Sequence, residues 1–146
     1  MLKLILAFAL AISAHAQLFG KPEPVLKDRS GLALKGYDPV AYFTEGKPIQ
    51  GKPEIQHTHS NVKYNFASTA NLELFKKDPN KYLPQYGGYC AWAVGHNYTA
   101  STDPEAWKIV NGKLYLNYSK DVQRKWMAEE ANLIKSGDAN WPNLHK

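Results

Sequence analysis

Asn111-Gly112 lies between two alternating runs, Trp107-Lys108-Ile109-Val110 and Lys113-Leu114-Tyr115-Leu116-Asn117. No other feature limits the fold as much. An Asn-Gly step between such runs specifies a tight antiparallel hairpin, because both residues accept the positive φ that the turn requires. A second hairpin is expected over residues 54–66, EIQHTHSNVKYNF, with Ser60-Asn61 as its turn. Ile55, His57 and His59 then share one face of the outgoing strand, and Val62, Tyr64 and Phe66 one face of the return strand. Strands this short and this closely joined do not suit a doubly wound parallel sheet, whose strands need long crossovers.

Helices are expected around these hairpins. Ser68 or Thr69 is placed to cap a helix from about Ala70 to Lys77, with Pro79 as its stop. Asn80 to Leu83 makes a further short turn. Asp103-Pro104 reads as a helix start, with Asp as cap and Pro in the first turn. Asn117 or Ser119 caps a final helix to about Ser136, ended by Gly137. Val122, Trp126, Glu130, Leu133 and Ile134 form its inward stripe, interrupted by one acid. The sum is a small single α+β domain of short antiparallel hairpins, supplying a sheet, with two or three covering helices. At 146 residues the chain has the length of one domain.

Met1 to Ala16, MLKLILAFALAISAHA, has a different character. Lys3 precedes an unbroken apolar run from Leu4 to Ile12, and Ala14-His15-Ala16 has the small-x-small form of a cleavage site. Residues 1–16 are therefore read as a signal peptide, too short to span a bilayer, with Gln17 as the new N-terminus. Residues 17–30, which include Pro22 and Pro24, read as an N-terminal arm, and residues 31–146 as the domain. The expected location is outside the cytoplasm, periplasmic or extracellular, with no stable membrane insertion.

Charge and cysteine content narrow the partners. The net charge of +5 falls to +4 without Lys3, and Arg29 and Arg124 are the only arginines. Without a concentrated basic face, no nucleic-acid partner is expected. The single cysteine, Cys90, excludes an intrachain disulfide and any Cys-rich zinc module.

Several motifs taken in order resemble those of the exported, stand-alone YHS-domain proteins of bacteria. They are Gly36-Tyr37-Asp38-Pro39-Val40-Ala41-Tyr42-Phe43, then Tyr64-x-Phe66-Ala67-Ser68 with Asn71 and Phe75, then Tyr86-Gly87-Gly88-Tyr89-Cys90-Ala91. Asp103-Pro104-Glu105-Ala106-Trp107, Gly112 to Asn117 and Ala139-Asn140-Trp141-Pro142 complete the series. The resemblance spans about residues 31–142 and implies a YHS-like fold. Other YHS segments, associated with heavy-metal transport, are thought to bind metal through cysteines in Asp-Pro-Val-Cys and Phe-Cys-Ser-x-x-Cys. Here Ala41, Ala67 and Asn71 occupy those thiol positions, so that soft-metal site does not carry over. The exported group implies no established reaction.

The remaining chemistry rests on few residues. Cys90, among Tyr89, Ala91, Trp92 and Val94, is either a buried small hydrophobe or a reactive thiol or ligand. His57 and His59 on one strand face offer two nitrogens suited to copper or zinc. Packing of that hairpin against residues 86–96 would bring His57, His59, Cys90 and His96 together as a four-ligand metal site. The tyrosines and tryptophans, Tyr64 and Trp107 among them, either line a ligand pocket or fill the core. The functional expectation is an exported binding module for a metal ion, copper or zinc, or for a small ligand. The alternatives are a protein-interaction or structural domain without a small-molecule site, its protein partner unknown, and a thiol-dependent enzyme using Cys90.

Overall fold

The computed structural model describes residues 20–146, so the leader expected over residues 1–16 lies outside the described residues. The chain forms an α+β domain with six helices and two antiparallel hairpins among the described residues. In order these are α1 (Ala41–Thr44), β1 (Lys52–His59), β2 (Val62–Phe66), α2 (Thr69–Lys77), α3 (Pro79–Tyr82), α4 (Ala91–Gly95), β3 (Asp103–Val110), β4 (Lys113–Asn117), α5 (Lys120–Ala128) and α6 (Glu130–Leu144). Two 3-10 turns, Leu34–Gly36 and Gln85–Gly88, join them. No helix of the described residues is long and apolar enough to cross a membrane.

Both hairpins form where the turn residues place them. Ser60 and Asn61 have φ of 49° and 64°, and Asn111 and Gly112 have φ of 51° and 74°. These paired positive values match the right-handed twist of the flanking strands. His57 pairs with Tyr64, and Ile109 with Leu114. The hairpins do not merge into one sheet as the sequence suggested; each remains a separate two-stranded sheet. Residues 31–33 lie along β2 instead, with Ala33 N–H donating to Lys63 C=O at 2.9 Å.

Two apolar clusters make the core. Tyr42, Tyr64, Phe66, Phe75, Leu114 and Leu116 belong to one, and Tyr86, Tyr115, Trp126 and Leu133 to the other. β4 serves both. Its alternating side chains send the leucines one way and Tyr115 the other, so residues 114–117 are all buried.

Three helix expectations change. Ser68 and Ser119 do cap α2 and α5, each hydroxyl accepting a backbone N–H at 3.1 Å. Asp103-Pro104, however, opens β3, and the Asp103 carboxylate accepts Glu105 N–H at 2.9 Å in a local turn. The final helix breaks at Glu129 and resumes as α6, which runs through Gly137 to Leu144. Gly137 is a notch rather than a stop, because a Cβ there would lie 2.6 Å from the Tyr86 hydroxyl oxygen. The acid in the inward stripe is explained by an ion pair, Lys108 Nζ to Glu130 Oε2 at 2.6 Å.

Asp38 fastens the first half of the fold. It is fully buried. Its Oδ1 accepts Val40 N–H at 2.7 Å and Ala41 N–H at 3.3 Å, at the start of α1. Its Oδ2 accepts Ala67 N–H and the Asn71 amide, both at 2.8 Å, from the β2–α2 connection. Hydrogen bonds to a buried carboxylate are strong, and an amide in its place would turn an N–H toward one of these donors. Asp38→Asn is expected to cost about 2–3 kcal/mol. The corresponding fall in melting temperature is about 10 °C. Asn71→Ala, which removes one donor, should cost less. Thermal unfolding of the three proteins checks the order.

Candidate functional site

The proposed ligands are spread over the molecule. His57 and His59 do share a face of β1, and both rings meet Phe75 of α2 edge-on, with centroids 6.2 and 5.7 Å away. Cys90 is buried at the start of α4. His96 is exposed just past the other end of α4, with its ring 4.3 Å from that of Trp92. Among the described residues no group of three or more His, Cys, Asp or Glu side chains is placed to hold a metal ion. The four-ligand convergence therefore does not form: β1 packs on α2, leaving only the histidine pair side by side.

Cys90 has the surroundings of a core residue. Its thiol donates to Asn117 Oδ1 at 3.5 Å, and Tyr118 N–H donates to its sulfur at 3.3 Å. Burial pushes the thiol pKa up, and the nearby backbone N–H groups offset this only in part. A raised pKa leaves little thiolate, the form that reacts as a nucleophile or binds metal. Asn117 also accepts Trp92 N–H at 3.0 Å, while its own Nδ2 has no partner among the described residues.

Two of the tyrosines are fixed in the fold through their hydroxyls. The Tyr42 hydroxyl donates to Pro104 C=O at 2.8 Å, and that of Tyr86 to Asp138 Oδ1 at 2.9 Å. Burial, the larger cause for both, holds their pKa values well above the usual range. Tyr64 and Tyr115 are each 2% exposed, and neither hydroxyl has a hydrogen-bond partner among the described residues; the fully buried polar side-chain atoms without one are Asn117 Nδ2 and Trp126 Nε1, so the Tyr64 hydroxyl keeps some access to solvent. Burial alone raises its pKa to about 12, so it is a neutral donor at any physiological pH.

Tyr64 lines a cavity of about 480 Å³, within the range usual for small-molecule sites. One wall is the arm, through Val25 and Leu26. The others come from the 32–35 segment, the turn of the first hairpin with His59, Leu83-Pro84, and Gly87-Gly88. The arm is pinned there by Leu26 N–H donating to Gly87 C=O at 2.9 Å. Gly87 permits this approach, since a Cβ would lie 1.9 Å from Pro24 O. Asp28 shapes the adjoining loop by accepting from the Ser30 hydroxyl, Ser30 N–H and Leu32 N–H. The Ser30 hydroxyl is the first of the donors that lower its pKa.

The backbone around the cavity is strained. Leu34 and Lys35, which line it, and Tyr86 beside it have φ of 58°, 50° and 58°. Left-handed backbone costs a non-glycine residue about 1–2 kcal/mol, and such residues gather where a surface has a task beyond folding. The sequence named Tyr64 as one aromatic among many. It held no sign of the arm's docking or of the inverted backbone at Leu34 and Lys35.

Slow labelling of Cys90 is expected. At pH 8.5 the folded protein should react with iodoacetamide far more slowly than free cysteine and reach the free-cysteine rate once unfolded, as mass spectrometry over time would record. Labelling at the free-cysteine rate in the folded state would contradict the burial described above. Compared with known family models, curated proteins and solved structures, the chain gives no match.

Proposed function

We propose that this chain is an exported, non-catalytic binding module whose ligand is a small organic molecule held in the cavity between the arm and the first hairpin. One observation carries the reading. A cavity of about 480 Å³ is walled by backbone held at energetic cost and is lined by the Tyr64 hydroxyl, a donor with no hydrogen-bond partner among the described residues. The motif resemblance to exported YHS-domain proteins supports it, since the thiol positions used for metal elsewhere are Ala41, Ala67 and Asn71 here. A thiol-dependent reaction is disfavoured by the burial of Cys90 and, among the described residues, by the absence of a histidine from its hydrogen-bond partners. A metal reading retains only the His57–His59 pair, two nitrogens where closed metal sites use more.

An environment-sensitive apolar dye should bind the purified protein at one site and brighten. Leu83→Trp, which fills the cavity from a half-buried position, should abolish that signal with little change in melting temperature. Near-stoichiometric copper or zinc in the purified protein, lost in a His57→Ala/His59→Ala variant, would overturn the reading in favour of metal. Dye binding that is absent, or unaffected by Leu83→Trp, would favour the interaction-domain alternative. For export, the protein recovered outside the cytoplasm should have a mass that starts at Gln17. An intact Met1 terminus in that fraction would contradict the leader assignment.

A further inference from the structure

The lining of the cavity is chemically uneven. Val25, Leu26, Leu32, Leu34 and Leu83 give it aliphatic walls. The exposed lining residues, which mark its mouth, include Lys35, Asp28 and Ser60. Their charges are not equally available. Asp28 keeps its negative charge, since the Ser30 and Leu32 groups that donate to its Oδ1 are neutral. Lys27, also in the lining, has its ammonium 3.1 Å from Glu23. Lys35 has no ion-pair partner among the described residues and is presented on a left-handed backbone. The cavity therefore combines an aliphatic body, a mouth that carries the unpaired Lys35 and the Asp28 carboxylate, and neutral donors without a hydrogen bond among the described residues, Tyr64 in the wall with Ser60, Asn80 and Ser101.

We propose that the cavity takes a single-chain alkyl carboxylate, its chain against the aliphatic walls, its negative charge met by Lys35 and a carboxylate oxygen accepting from the Tyr64 hydroxyl. This rests on the cavity being a ligand site, as proposed above. An ammonium head would meet Lys35 with like charge and find attraction only in Asp28, whose Oδ1 already accepts from three donors. A neutral alcohol would keep the apolar contacts and the Tyr64 donor and lose the charge.

Calorimetric titration of the purified protein with decanoate, decanol and decylammonium, each below its micellar concentration, tests both levels. Decanoate is expected to bind tightest. Decanol should be about fivefold weaker, the size of one partly exposed charge contact. Decylammonium should be weaker still. From octanoate upward, affinity should rise by up to about fourfold per methylene until the cavity is full. Lys35→Ala should weaken decanoate about fivefold and leave decanol unchanged. Tyr64→Phe should weaken both, by up to about tenfold. Equal binding of decanoate and decanol, with no effect of Lys35→Ala, would overturn the anionic head and leave the cavity as a site. Binding of none of the three, or binding insensitive to Leu83→Trp, would overturn the cavity reading itself. Because Lys35 is exposed, its substitution does not disturb the core.

Discussion

A buried carboxylate organises the first half of this protein. Asp38 ties the start of α1 to the β2–α2 connection through four hydrogen bonds, all from neutral donors. A charge removed from water is costly unless its acceptor sites are filled. Filling them fixes two segments that are distant in sequence in one relative position. The 31–36 segment packs along β2 from that fixed point, and the arm in turn packs across Gly87. The clasp thus bears on the 32–35 wall of the cavity, while the arm and Gly87-Gly88 are held by bonds of their own, Leu26 N–H to Gly87 C=O and the Thr102 hydroxyl to Gly88 C=O.

Local features of the fold were legible in the sequence, and distant ones were not. Both hairpin turns and both serine caps follow from side-chain chemistry within a few residues, so composition at those positions was enough. In sequence Gly137 marks a helix stop, because glycine is usually informative about its own backbone. Here its meaning comes from the Tyr86 ring, 51 residues earlier in the numbering of the chain. The same holds for Glu130, whose place in an apolar stripe is explained by Lys108 on another element. Asp38 precedes a proline and by that reads as a turn or cap residue, which its bonds to Val40 and Ala41 fit; its reach to Ala67 and Asn71 has no local sign.

The candidate site divides along the same line. That His57 and His59 share a face is a property of one strand and held. Convergence with Cys90 and His96 required one hairpin to pack on a particular segment, and periodicity does not encode that choice. β1 packs against Phe75 instead, which leaves Cys90 to the core around Asn117. The cavity is assembled from separate stretches of chain between residues 25 and 104, so none of them carries a motif for it. Its strained residues, Leu34, Lys35 and Tyr86, are ordinary in type, and only their backbone angles distinguish them.

β4 gives the domain its unity. Because its two faces feed different clusters, a slip of one residue would send Tyr115 toward the leucine side and the leucines toward Trp126 and Leu133. Neither cluster can therefore repack alone, and neither can open without exposing the far side of the same strand. The two small hairpins, each too short to persist in water by itself, are thus coupled into one cooperative unit, with β4 as the segment whose amide protons exchange only when the whole domain opens.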